Sequence, residues 1–362
     1  MRNMLATDMQ IDEIEAWLRQ DDPQRLTELW RAADALRSEY VGDEVHMRGL
    51  IEISNHCVRS CAYCGLRAEN AGLPRYRMKI EEILDCARQT EEAGFGTVVM
   101  QAGEDYGITR SWMTEVIRRI KRETSLAVTL SLGERPREDL EAWREAGAAR
   151  YLLRFETSDA KLYAKIHPPL EPGEPDRFER IRWLQELGYE AGGGVMIGIP
   201  GQSYAALARD IELFREMDLD MIGVGPYVAN PDTPLGCGKM DALKLPDGEQ
   251  VSADETTSCR MIALTRIVRP DANIPATSAL AAISTQTGRR HGLERGANVV
   301  MPNFTPAKYR EMYHLYPGET GRRVFTPPSR EDLAEFLASI GRRIGEGHGG
   351  RRQVQADVSG CA

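Results

Sequence analysis

Three cysteines, Cys57, Cys61 and Cys64, stand close together in the stretch "NHCVRSCAYCGL" (55–66), with C-x3-C-x2-C spacing. Cysteine thiolates are the usual ligands of iron–sulfur clusters, and a four-iron cluster normally takes four of them. A set of three leaves one iron with an open position for a substrate or cofactor. Such a position separates a reactive metal centre from a closed structural one. The alternative is a Cys3His zinc knot with His56 as fourth ligand. His56 directly precedes Cys57, an awkward bite for a tetrahedral site, and the second half of a zinc ribbon is missing. The other cysteines, Cys86, Cys237, Cys259 and Cys361, are scattered. An odd count with three crowded together suits a reducing compartment and a metal site, not a disulfide framework.

The elements that must position this loop alternate between apolar strands and helices. "RGLIEIS" (48–54) leads into the cysteine loop. Further strand candidates are "GTVVMQ" (96–101), "LAVTLSLGE" (126–134), "RYLLRFE" (150–156), "AGGGVMIGIPG" (191–201), "DMIGVGPY" (220–227), "NIPATSA" (273–279) and "ANVVMP" (297–302). Helical patterns separate most of them, including 80–94, 110–123, 137–147, 158–166, 176–187, 204–218 and 256–268. Parallel strands joined by crossover helices are buried on both faces, which explains runs that are apolar throughout. Eight such units predict an α/β fold, a closed (β/α)8 barrel of the TIM type, with an open doubly wound sheet as the alternative. The cysteines then lie at the carboxyl mouth of the barrel, where barrel enzymes place their chemistry. Residues 9–39 read as two helices broken at "DDPQ". The expected organisation is an N-terminal helical extension over 1–45, a barrel over 46–345 and a Gly-rich polar tail over 346–362, expected to be disordered.

With 362 residues, 42% hydrophobic and 28% charged, the chain has ample material for a core. Its net charge of −9 argues against a general nucleic-acid binder. No run of 18 apolar residues predicts a membrane span, and the polar start after Met1 does not read as a signal peptide. The default location is the cytoplasm.

The cysteine spacing, with Tyr63 before the last cysteine, resembles the radical S-adenosylmethionine superfamily. Within it, "EYVGDEVH" (39–46), "YCGLR" (63–67), "RYRM" (75–78), "VTLSLGE" (128–134), "RYLLRFET" (150–157), "GIPGQ" (198–202), "NPDTPL" (230–235), "NIPAT" (273–277), "GANVVMPN" (296–303) and "YHLYPG" (313–318) are similar to the HydE-type maturases of FeFe-hydrogenase. The resemblance implies one 4Fe-4S cluster on Cys57, Cys61 and Cys64, whose unique iron chelates the amino and carboxylate groups of S-adenosylmethionine. "QAGED" (101–105) stands where the superfamily has its Gly-Gly-Glu motif. Ala102 replaces the first glycine, so Gly103 and Glu104 carry the amino-group role. Glu156 matches the ribose-binding acid, and Arg177 is the candidate for the cofactor carboxylate. Tyr63 and Gly198 match positions along the adenine. Taken singly, these residues have plainer readings: Glu104 and Asp105 could cap the next helix, and Gly198 could be a turn glycine. Some family members carry a second C-terminal cysteine cluster. "GETGRRVFTPPSRED" (318–332) has no cysteine, so one cluster is expected.

Side chains alternate along a strand, so Arg150, Leu152, Arg154 and Glu156 share one face of the fourth strand candidate. If Glu156 reaches inward to the ribose, Arg150 and Arg154 point into the barrel as well. They are then expected to bind an anionic part of the substrate, with Thr277 and Ser278 donating hydrogen bonds opposite. The alternative places both arginines outside, paired with helix carboxylates. The resemblance further implies a role in assembling the diiron subcluster of FeFe-hydrogenase, on an organometallic substrate supplied by the maturase HydG. HydF and a reductant such as ferredoxin or flavodoxin are the other implied partners. The competing functions are a radical enzyme acting on a small organic molecule, like biotin synthase or methylornithine synthase, and a non-catalytic iron–sulfur carrier.

Overall fold

The computed structural model describes residues 7–171, 176–315 and 329–351. Most helices start at a side chain that accepts a backbone N–H of the first turn, as Asp22, Thr109, Asp159, Asp176, Ser203, Asp254 and Thr277 do. Helices α1 (Ile11–Leu18) and α2 (Pro23–Val41) precede β1 (Glu44–Ser54). Next come α3 (Ile80–Glu92), β2 (Thr97–Ala102), α4 (Arg110–Glu123), β3 (Ala127–Ser131), α5 (Arg137–Glu145), β4 (Ala148–Leu152), α6 (Ala160–Ile166) and α7 (Arg177–Glu186). The chain continues through β5 (Glu190–Ile197), α8 (Tyr204–Glu216), β6 (Met221–Pro226), α9 (Glu255–Val268), α10 (Ser278–Ile283), α11 (Gly288–Glu294), β7 (Val299–Val300), α12 (Ala307–Arg310), α13 (Arg330–Ala338) and β8 (Arg343–Ile344). Helix α1 packs on α8 and α9, and α2 runs along α9.

The strands form one curled parallel sheet in the order β6-β5-β4-β3-β2-β1-β7, with β8 paired to the start of β1. The two faces of β1 differ. A methyl group on Gly49 would lie 2.4 Å from Thr90 of α3, and Met47, Ile51 and Ile53 join the core between sheet and helices. Arg48, Leu50 and Glu52 therefore face the inside of the curl. Register carries that parity to Val99, Gln101, Thr129 and Ser131.

The expectation of a closed eight-stranded barrel is corrected: the sheet is open. Among the described residues no strand pairs β6 with β7. The seventh strand candidate, 273–279, contributes only single bridges, Met221 to Asn273 and Pro275 to Val299. Two physical causes are visible. Pro275 has no N–H to give to a ladder, and the N–H of Ile274 is taken by the Asn298 side chain at 2.9 Å. Thr277 then caps α10 and ends any extension.

The tail is also corrected in part. Residues 346–351, part of the tail expected to be disordered, run with Gly345 across the amino-terminal end of the sheet. Gly345 donates to Val45, Thr97 donates to the His348 carbonyl at 2.8 Å, and Arg48 and Arg150 donate to the Gly349 and His348 carbonyls at 3.0 Å each. Arg351 pairs with Asp218, Asp220 and Asp271. The rest of the tail, with Cys361, lies outside the described residues, as does most of 318–332.

Candidate active site

The cysteine loop leaves β1 at Ser54 and is fixed from several sides. Val58 donates to the Glu104 carbonyl at 3.0 Å, Ala62 to Ile166 at 2.8 Å, and Gly103 to Ser54 at 3.3 Å. Arg75 donates to the carbonyls of Asn55, Leu66 and Arg67, which shapes the loop from outside. The turn after β2 presses directly on it. A Cβ at Gly103 would lie 2.3 Å from the His56 carbonyl oxygen and 2.8 Å from Cys57 Cβ, so only glycine fits. Cys61 is buried, and Cys57 and Cys64 are half-buried. Burial pushes all three thiols up, Cys64 to about 12, and for Cys61 and Cys64 the neighbouring cysteines add to the rise.

Beside the loop lies a buried ionic network. Arg59 meets Glu104 at 2.5 Å and Glu134 at 2.8 Å. Arg177 meets Glu134 at 2.9 Å and Glu104 at 3.4 Å, and Arg180 meets Glu134 at 3.2 Å. His167 joins them: Nε2 lies 3.1 Å from Arg177, and Nδ1 lies 3.0 Å from the Cys61 sulfur. Burial and the neighbouring Arg177 bring the imidazole down to about 4, so it is neutral at pH 7. Burial also opposes ionisation of Glu134, yet the His167 hydrogen bond and the charges of Arg177 and Arg59 hold it well below the usual carboxylate range. In Glu104 burial prevails over Arg177 and Arg59, and the carboxyl is raised. Glu104, Glu134 and His167 converge closely enough to suggest a cation site. Three guanidiniums already occupy those acceptors, so the cluster of side chains instead suits an anion: three buried cations face two carboxylates.

The structure also places the remaining candidates. Glu104 and Asp105 do not cap α4, whose cap is Thr109. Asp105 instead accepts from Ser54 and from Arg77, at 2.7 Å each, and pins the turn. Glu156 lies beyond the end of β4 with a positive φ of 63°, a left-handed conformation uncommon for a non-glycine residue. Its backbone bridges to Val195, and its carboxylate pairs with Arg154 at 3.1 Å. Tyr63 stacks toward His167, with 6.5 Å between ring centroids. Gly198 has φ +81° and donates to the Gln202 side chain at 2.7 Å. Thr277 faces Gly225 across the open side, where a Cβ on that glycine would come within 2.8 Å of its hydroxyl. Ser278 opens α10.

Arg150 requires correction. It does face inward, but at the amino-terminal floor, where Glu190 at 2.6 Å, Thr97 and the His348 carbonyl take its guanidinium. It is not free to hold a substrate anion at the carboxyl mouth. Sequence reasoning missed Arg59, Glu134, Arg180 and His167. The available signal was Glu134 at the end of "VTLSLGE", which continuing the β2–β3 register from Gln101 and Ser131 sets level with Glu104.

Residues 51–226 match the family model described as the radical SAM superfamily. The chain is 44% identical to the FeFe hydrogenase maturase subunit HydE of Thermotoga maritima over 90% of its own length and 89% of that protein. The chain belongs to the HydE family of radical S-adenosylmethionine enzymes. More distantly, it is 28% identical to the 3-methylornithine synthase of Methanosarcina acetivorans over 80% of its length and 78% of that protein. In fold it resembles the crystal structure of methylornithine synthase (PylB), with a TM-score of 0.76 and 23% identity, covering 93% of this chain and 94% of that one. A radical SAM family implies a 4Fe-4S cluster and S-adenosylmethionine. The residues present fit both groups. Three soft sulfur donors share one loop walled by the Gly103 turn. Beside them, the buried charges offer a carboxylate for an ammonium and an excess of guanidinium for a carboxylate. Among the described residues, no helix is long and apolar enough to cross a membrane.

Proposed function

We propose that this protein is a radical S-adenosylmethionine enzyme of hydrogenase maturation. In this reading it carries one 4Fe-4S cluster on Cys57, Cys61 and Cys64. The bound cluster would supply the electron that cleaves a carbon–sulfur bond of S-adenosylmethionine to methionine and a 5′-deoxyadenosyl radical. Glu104 accepts the methionine ammonium, and Arg177 binds its carboxylate. Glu156 takes the ribose hydroxyls, and Tyr63 and the Gly198 turn flank the adenine. Arg59, Glu134 and Arg180 hold Glu104 and Arg177 in place, and burial excludes water from the network. The observation that supports this best is the close approach of the Gly103 turn to Cys57, which sets the Glu104 carboxylate beside the cysteine loop.

The substrate in this reading is a cysteine-bound iron carbonyl–cyanide species supplied by HydG. It enters the interior of the curled sheet, where Arg154, with Thr277 and Ser278 opposite, holds its anionic part. HydF, a ferredoxin or flavodoxin reductant and a cytoplasmic setting complete the proposal, with the helices before β1 as an extension and the open, curled sheet with its helices as the catalytic unit. The test is anaerobic reconstitution with S-adenosylmethionine and a reductant. Iron should approach about four per chain, the content of one such cluster. 5′-Deoxyadenosine should form and should vanish in Cys61→Ala. A Cys61→Ala protein that still makes it refutes the assignment. Rescue of a maturase-deficient host distinguishes this substrate from a small organic one.

A further inference from the structure

Helix α8 buries a face that is apolar but for one residue. Leu207, Ala208, Ile211 and Phe214 share that face with Asp210. Asp210 is completely buried, and the reading of the site above gives it no role. Burial brings its carboxyl up to about 7, although Ser158 pulls it back. An acid kept at such a position costs the fold stability unless it holds something. Its Oδ1 accepts the Ser158 N–H at 2.6 Å, and the Ser158 hydroxyl donates to the Ala206 carbonyl of the same helix at 3.4 Å.

Ser158 stands two residues past Glu156. The Thr157 N–H donates to the Phe155 carbonyl at 2.7 Å, closing a three-residue turn around Glu156, whose φ is +63°. Turns of this hand are rare and strained, and they persist only where the surroundings hold them. From β5, the Gly194 carbonyl accepts the N–H groups of Phe155 and Glu156 at 3.0 and 3.1 Å, and Met196 donates to the Glu156 carbonyl at 3.0 Å. Helix α8 grips both flanks. Phe214 lies 5.8 Å from Phe155, centroid to centroid, and Asp210 takes Ser158. Between these anchors the Oε2 of Glu156, 3.1 Å from Arg154, accepts no hydrogen bond among the described residues. That lone pair is free for a hydroxyl.

We propose that Asp210 is a positioning residue for the cofactor: from behind the sheet it locks the left-handed turn that aims the Glu156 carboxylate at the ribose hydroxyls of S-adenosylmethionine. This rests on the reading that Glu156 receives those hydroxyls. Without the Ser158 anchor the turn relaxes toward the backbone conformations an L-residue prefers, and the carboxylate swings away with its Cα–Cβ bond. The cysteine loop and Glu104 belong to other elements, so the loss falls on the ribose contact.

The test is equilibrium binding of S-adenosylmethionine to the reconstituted protein without reductant, so that no turnover contributes, with thermal unfolding alongside. At about pH 8 the Asp210 carboxyl is ionised. Asp210→Ala and Asp210→Val both remove the acceptor. Each should weaken binding about tenfold or more while iron content stays unchanged. Asp210→Asn keeps an oxygen toward Ser158 and should stay within about threefold of the wild type. On a Glu156→Gln background, Asp210→Ala should add less than about threefold, because the group it positions is already altered. A lower melting temperature with wild-type affinity in Asp210→Ala overturns the proposal, since a merely structural role predicts that result. A loss of equal size on the Glu156→Gln background, an Asp210→Asn protein as weak as Asp210→Ala, or failure of both the Ala and Val variants to fold overturns it equally. Wild-type affinity in Glu156→Gln itself refutes the ribose reading instead, and the proposal falls with it.

Discussion

Gly133→Ala gives the sharpest test of the Glu104 assignment. Gly133 follows β3 with φ +72°, and a Cβ there would lie 2.0 Å from Cγ of Glu104, 2.7 Å from Cδ and 2.8 Å from Oε1. The left-handed backbone costs a non-glycine residue about 1–2 kcal/mol. The clash is with the middle of the Glu104 side chain, not its tip, so the whole carboxylate must swing away from Arg59 and Arg177. A lost hydrogen bond to a charged group is worth about 1.5–3 kcal/mol. If Glu104 holds the methionine ammonium, KM for S-adenosylmethionine should rise roughly 10- to 150-fold, since 1.4 kcal/mol is a factor of ten. Gly188→Ala is the matched control: its φ is +79°, but the nearest atom to a Cβ is Arg144 Nε at 3.8 Å. The assay is anaerobic 5′-deoxyadenosine formation against cofactor concentration, with thermal unfolding of both variants. Gly188→Ala should lose stability alone. If Gly133→Ala is destabilised no more than this control and keeps the wild-type KM, the reasoning fails.

Two further outcomes are expected. Arg154→Leu should lower the ratio of maturation to uncoupled cofactor cleavage at least tenfold, from a lost charged contact of about 1.5–3 kcal/mol; an unchanged ratio places Arg154 with the cofactor instead. Truncation after Ile344 removes the carbonyl partners of Arg48, Thr97 and Arg150. At about 1 kcal/mol for each of these three bonds, the melting temperature should fall by several degrees while the cysteine loop still takes up iron; an unchanged melting temperature refutes the structural role of the tail.

What was legible in the sequence was what is local in the chain. Cys57, Cys61 and Cys64 share one loop, and Gly103 and Glu104 share one turn, so short spacings identify them. The Arg59–Glu134–Arg180–His167 network draws on three loops and helix α7, and each member alone reads as an ordinary polar or charged residue. Arg150 shows a second limit. Strand alternation turned it inward, but its guanidinium is taken by Glu190 on the neighbouring strand, by Thr97 and by a backbone carbonyl almost two hundred residues later, in a Gly-rich segment whose composition suggests disorder. The same reasoning overestimated the sheet at 273–279. An apolar run marks a buried segment, whereas pairing also needs free N–H groups, and Pro275 and the Asn298 side chain remove two in succession.

If the buried network around Glu104 and Arg177 holds the cofactor as proposed, its charges decide what it binds. Glu104 and Arg177 touch at 3.4 Å within one buried cluster. An amino-acid head group that inserts between them, ammonium toward Glu104 and carboxylate toward Arg177, replaces one ion pair with two and adds no net charge. Burying an isolated ion costs several kcal/mol, but a zwitterion entering a paired site brings both counter-ions with it. Arg59, Arg180 and Glu134 keep the two host groups oriented during the exchange, so little reorganisation is required. A ligand carrying only an amine or only a carboxylate would leave one host charge buried without its partner. On that reading, discrimination in favour of the complete amino-acid head comes from the pairing of Glu104 with Arg177, before any contact with ribose or adenine.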